Sequence, residues 1–241
     1  MKKIMKMAAV AALMMLSATS AMAQYAPEKG DVSTELQFNP FGNNYNTFRL
    51  DGLKARFFLA DKHAIRAMLN LGIDGNTTRA TLNKNAVNYD KMKDDYTTTG
   101  NVNFGLGVGY EYHFMNSNRI DLYLGGQFGF DINAYSGEQE TYLPAPVDGV
   151  QKTTFKGHDG AGNVSSANIY GQVFTGIDFY LYKGLYLGTE IALRLGVNGA
   201  TNYETEVSTP GAPTVTNEFD VKNGTVSLGF VRPALRIGWK F

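Results

Sequence analysis

The chain has 241 residues, 44% of them hydrophobic and only 18% charged, with 27 glycines, 14 tyrosines, 15 phenylalanines and no cysteine. No apolar run reaches the roughly 18 residues of a membrane helix, so a polytopic helical protein is excluded, and with no cysteine so are a disulfide scaffold, a Cys-ligated metal and a thiol nucleophile. Lys plus Arg number 22 and Asp plus Glu number 22, which leaves no electrostatic case for nucleic acid as a partner.

Residues 1–23 read as a cleaved signal peptide. Lys2, Lys3 and Lys6 form a positive start, Met7 to Leu16 is a short apolar core, and Ala21-Met22-Ala23 offers the small-residue cleavage site before Gln24. The core is too short for a membrane anchor. Losing the three lysines leaves residues 24–241, one domain, with three more acids than bases.

Beyond residue 31 the apolar period is two, which puts apolar and polar side chains on opposite faces of strands. In chain order the strands are expected at 32–38, 48–59, 65–73, 102–114, 120–132, 169–181, 185–197 and 231–241. The second changes parity near Gly52, since Phe48 and Leu50 share one parity and Leu53, Ala55 and Phe57 the other; a bulge at that glycine reconciles them. The last strand sets Val231, Leu235, Ile237, Trp239 and Phe241 against Arg232, Ala234, Arg236, Gly238 and Lys240.

Connections alternate in length. Residues 60–63, 115–119 and 182–184 are tight turns, whereas 39–47, 74–100, 134–167 and 198–224 are long and polar. Thr209-Pro210-Gly211-Ala212-Pro213 lies between two alternating segments that read as a hairpin, through which strands seven and eight would continue outward. Residues 141–143 and 153–155 would do the same around 144–149. Eight strands with short turns at one end and long loops at the other imply an eight-stranded antiparallel transmembrane up-and-down β-barrel. A soluble sandwich would alternate too, but would not need so strict a loop alternation. The bulky apolar set suits lipid and the Gly-rich polar set suits a lumen that only just holds side chains. Nine residues tilted by about 45° cover roughly 20–25 Å, the height of the apolar band. Phe57, Tyr112, Phe114, Tyr182, Trp239 and Phe241 at the turn end, with Phe38, Phe104 and Phe130 nearer the loops, read as interfacial girdles.

The terminal Ile237-Gly238-Trp239-Lys240-Phe241 resembles the C-terminal signal of outer-membrane proteins, in which Ile237, Trp239 and Phe241 would be read by the barrel-assembly machinery. With eight strands and a signal peptide, residues 31–241 are similar to small Gram-negative barrels of the OmpA/OmpX-like porin-family type. That resemblance implies location in the outer membrane with its lipid as partner. Ending at the barrel, the chain is expected to lack the peptidoglycan-binding domain of full-length OmpA.

Parity sends Glu35, Glu111, Asp121, Asp131, Asp178 and Glu190 to the lumen, against Lys54, Arg56, Arg66, Arg194, Arg232, Arg236 and Lys240. Near-cancelling charges favour a salt-bridged plug over an ion path, because buried charges need partners. Catalysis finds no set. His63 sits in a turn, His113 beside Glu111 on the lumen face, and His158-Asp159 in a glycine-rich loop, none with a nucleophile and an orienter. Two ligands do not make a metal site, and Gly105 to Gly109 lies inside a strand pattern with no helix after it, so no cofactor is expected. The expectation is a non-enzymatic barrel with a structural or surface-interaction role, its loops open to an extracellular ligand. A small channel for ions or solutes is the alternative, and an embedded hydrolase ranks last.

Overall fold

The computed structural model describes residues 27–38, 50–80, 95–117, 119–143, 147 and 149–241. The signal segment, Phe48 and the loop 39–47 lie outside the described residues, as does the side chain of Arg232. The strands are β1 Val32–Phe38, β2 Leu50–Ala60, β3 His63–Ala80, β4 Asp95–Asn116, β5 Ile120–Leu143, β6 Gly149–Lys156, β7 Ser166–Tyr182, β8 Leu185–Ala200, β9 Tyr203–Ser208, β10 Val215–Phe219 and β11 Gly224–Lys240.

Eight of them close a ring. β1 pairs with β2, β2 with β3, β3 with β4, β4 with β5, β5 with β7, β7 with β8, β8 with β11 and β11 back to β1, every pair antiparallel. Closure leaves no sheet edge within the ring. The tight turns join β2 to β3, β4 to β5 and β7 to β8 at one end. In the last of these Lys183 takes a left-handed conformation (φ 49°), the cost of a two-residue reversal.

The ring is inside-out by the standard of a soluble protein. Ile73, Phe128, Ile169, Val226 and Phe230 are each at least 70% exposed, while Glu35, Lys54 and Arg236 are fully buried. The one apolar cluster among the described residues is Tyr123, Phe174 and Ala192, with Val231 packed against it inside the bore.

Three features depart from the sequence reading. First, much of the predicted loop sequence is strand: β3 runs on to Ala80, β4 begins at Asp95 and β5 reaches Leu143. The β3 and β4 extensions are rich in threonine, the β5 extension is mixed and mostly polar, and without lipid on one face no apolar period marks them. Second, the hairpin β9–β10 does not continue the barrel strands. The β8–β11 ladder ends near Ala200 and Asn223, and β9 turns aside to pair with β6, which itself pairs with β5. Thus β3, β4, β5, β6, β9 and β10 form a sheet that stands beyond the ring at its loop end. Third, Val231 faces the lumen. A register shift between Val231 and Ala234 inserts one residue in β11 at Pro233, so Val226, Leu228 and Phe230 point outward above it while Leu235 and Ile237 point outward below. Proline lacks the ladder N–H, which confines it to such bulges. The parity change foreseen at Gly52 is present: Gln37 pairs with Gly52 and Phe38 with Leu50, leaving Asp51 extra.

Candidate functional site: an ion-paired lumen

Alternation delivers at least one charged side chain to the bore from each of the eight ring strands. In mid-barrel, Arg56 Nε lies 2.9 Å from both Glu35 Oε1 and Glu111 Oε2, and its Nη1 donates to Asp178 Oδ2 at 2.6 Å. Arg236 donates to Glu35 Oε2 and to Asp178 Oδ1, each at 2.8 Å. Arg66 spans Glu111 Oε1 (3.1 Å) and Glu190 Oε2 (2.8 Å), and the Lys54 ammonium reaches Glu190 Oε2 at 3.0 Å. Four cations therefore interlock with four carboxylates, and seven of the eight side chains are fully buried, Glu190 retaining 11% exposure.

The ladder explains why the acids must interlock rather than pair singly. Arg56 stands directly opposite Arg66 on the neighbouring strand, a like-charge pair that is unfavourable unless anions bracket it. Aromatic rings complete the filling. Arg66 lies 3.4 Å over the Phe174 ring and Arg56 4.7 Å over Tyr123, whose hydroxyl donates to Glu190 Oε2 at 3.0 Å. Glycine makes room for these groups. At Gly188, opposite Asp178 and Arg236, a Cβ would overlap the carboxylate; at Gly238 it would overlap the ring of Tyr186.

Towards the turns, His113 Nδ1 lies 2.7 Å from Asp121 Oδ2 and its Nε2 3.4 Å from Glu111. The sequence paired His113 with Glu111; the shorter contact is with Asp121, delivered from β5. Towards the loops, Gln127 accepts from Arg66 Nε (2.7 Å) and donates to the Tyr170 hydroxyl (3.0 Å). Arg194 donates to Gln172 (2.9 Å), meets Asp131 at 3.4 Å, and covers Tyr170 at 3.8 Å. Arg194 and Asp131 are about a quarter exposed, so the bore opens towards the loop end.

Of the charges assigned to the lumen, Lys240 stands apart, at the turn-side rim 3.1 Å from Asp31. Tyr123, Tyr170, Tyr180 and Tyr186 are also buried in the bore, where the charges alone do not point to them. Their parity carried the signal, since each sits among the polar set of its strand; tyrosine's apolar bulk masked it.

The projecting sheet carries its own polar surface. Lys152 pairs with Glu138 (2.8 Å), and Lys156 with Glu204 (2.8 Å) and Glu206 (3.3 Å); these two acids hold the Lys156 ammonium above its usual pKa. On the other face Phe155, His158, Tyr203 and Phe219 form a column with successive ring centroids 4.9, 4.6 and 4.7 Å apart. The loop after β6 is clamped by Asp159, which accepts from the backbone of Ala161 (2.8 Å) and Asn163 (3.0 Å) and from Asn163 Nδ2 (2.5 Å). Burial works to raise that carboxyl's pKa, but these hydrogen bonds outweigh it and hold the group below the usual aspartate value.

Carbon outside, paired ions inside and a closed antiparallel ring define a membrane-spanning β-barrel. A family model described as "Putative OmpA-OmpF-like porin family" matches residues 39–241, and the chain belongs to that family. Among solved structures, a major outer membrane protein from Thermus thermophilus is similar at 14% identity and a TM-score of 0.36, over 88% of this chain and 98% of that one. No curated protein matches the chain.

Proposed function

We propose that this is an outer-membrane barrel of a Gram-negative cell, exported through a signal peptide that is cleaved after residue 23, whose filled lumen does not conduct and whose role is structural or interactive at the cell surface. The observation that carries the reading is the interlocked set of four cations and four carboxylates across the bore. To admit a hydrated ion it would have to surrender several buried pairs, each costing several kcal/mol when broken on one side. Such a plug needs no cofactor and performs no reaction, and the protein is read as a non-enzyme.

The surface role rests on the projecting sheet. Its last strand, β10, pairs on one side with β9 and has no second neighbour among the described residues, and all five of its residues are exposed. An open edge of that kind can take up an extracellular partner by strand addition. At the other end, outward-facing Ile237 and the ring-closing position of β11 agree with Ile237, Trp239 and Phe241 as the assembly signal read by the barrel-assembly machinery.

A small channel is the second reading, favoured by the porin description of the family and by the partly exposed Arg194–Asp131 level. Planar-bilayer recording of the refolded protein separates the two. The plug predicts no stable conductance steps at any ionic strength; reproducible steps would replace it with the channel.

A further inference from the structure

The outward side chains of the ring lie in cross-strand rows, and one row is interrupted. It reads Ala55, Ala67, Val108, Phe128 across β2 to β5. The row towards the loops is Leu53, Leu69, Leu106, Phe130, and the row towards the turns is Phe57, Ile65, Tyr110, Gly126. Two alanines between bulky rows, with Gly126 opening the lower one, leave a carbon-lined groove of about 750 Å³ on the outer wall.

The groove ends in polar chemistry. Tyr110 forms part of its wall, and the Tyr110 hydroxyl is hydrogen-bonded to Nδ1 of His63. The His63 ring lies 5.3 Å from Tyr112, and Lys62 precedes it in the turn. Asp61, the acid of that turn, already accepts the backbone N–H of Lys29 at 3.0 Å. A slot for hydrocarbon thus leads to an imidazole and two phenols at the level of the turns, with the cation Lys62 the preceding residue, where the aromatic girdle meets headgroups.

We infer that this groove binds one anionic glycerophospholipid, an acyl chain lying over Ala55 and Ala67 and the phosphate held by Lys62 and by the Tyr110 hydroxyl, which the Nδ1–H of His63 orients. A second copy of the chain fits less well. Phe57 and Phe128, the latter 74% exposed, stand proud on either side of the groove and hold a second convex wall away from its floor. An amphiphile one chain wide satisfies both ends of the site at once. The inference rests on the membrane-spanning reading above.

The test is native mass spectrometry of the full-length protein released from nanodiscs containing equal phosphatidylglycerol and phosphatidylcholine. The wild type is expected to retain one phosphatidylglycerol. Ala67→Phe, which fills the groove, lowers retention of either lipid about tenfold, as the loss of one or two methylenes' contact would. Lys62→Gln with Tyr110→Phe keeps the groove and abolishes the preference for phosphatidylglycerol. Equal retention by wild type and Ala67→Phe, or a dimer in place of the lipid adduct, overturns the site. Each variant is checked for a heat-modifiable gel band: a wild type without one defeats the membrane reading itself, a different failure from a folded barrel that holds no lipid.

Discussion

Arg56 shows what a single residue carries here. Its guanidinium serves Glu35, Glu111 and Asp178 together, so Arg56→Met would take one cationic partner from each of three buried carboxylates, leaving Glu35 and Asp178 to Arg236 alone and Glu111 to Arg66. The predicted loss is about 3–5 kcal/mol, read from the denaturant midpoint of the barrel in detergent. A loss below about 1 kcal/mol would mean that Arg66 and Arg236 neutralise the three acids without Arg56. Gly188→Leu should be worse, since the added side chain has only the Asp178 carboxylate and the Arg236 guanidinium to displace; the refolded fraction, scored by gel mobility, should fall sharply. The existence of this network was legible from parity alone, because each charge sits among the polar positions of its strand. Its wiring was not. Which of four acids a given arginine reaches depends on ring closure and strand stagger, and these bring Glu35 to Arg236 across 201 positions of chain.

Legibility varies along single elements. In β3, residues 65–73 alternate plainly because lipid and lumen demand opposite side chains, and beyond Ile73 the same strand becomes unreadable because water lies on both sides. In β11 the extra residue at Pro233 reverses parity, so a single alternation running through Leu235, Ile237 and Trp239 puts Val231 on the wrong face. The elements outside the membrane should also respond to pH separately from the ring. Asp159 has a lowered pKa in the folded protein, so its contribution is present above the ordinary aspartate value of about 3.8 and is lost as pH falls through the lower folded value. Hydrogen exchange at the Ala161 and Asn163 amides should accelerate across that acidic window beyond the intrinsic trend, and Asp159→Asn should erase the excess. Phe219→Ala, which removes the end of the aromatic column, should raise exchange in β10 by about fivefold to tenfold, equivalent to the roughly 1 kcal/mol of one ring pair, and leave β7 and β8 unchanged.

For the whole molecule, the apolar exterior and the ionic interior form one design: each outward isoleucine or phenylalanine fixes the inward position of its neighbour. The ring is therefore predicted to unfold in detergent as one cooperative unit, with Trp239 fluorescence and far-ultraviolet circular dichroism changing together. The projecting sheet should open first, under milder conditions, as enhanced proteolysis between residues 209 and 213. Two separated transitions within the ring itself would contradict this. The eight-strand ring was readable from its periodicity and loop lengths, whereas the six-stranded blade beyond it was not, because nothing local announces that β9 will choose β6.

The pairing of β1 with β11 has a consequence in time. Ser33 faces Lys240 across that seam, so the contact that abolishes the sheet's edges joins the start of the first ring strand to the end of the last. Before the last strand arrives, β1 has one bare flank, and the arginines and glutamates meant for the bore have no enclosed space in which to meet. Half a barrel is therefore a strip of sheet with oil on one face and unpaired ions on the other, suited to neither water nor lipid. Left to itself, such a chain is expected to enter the membrane as a whole and to close at this seam last.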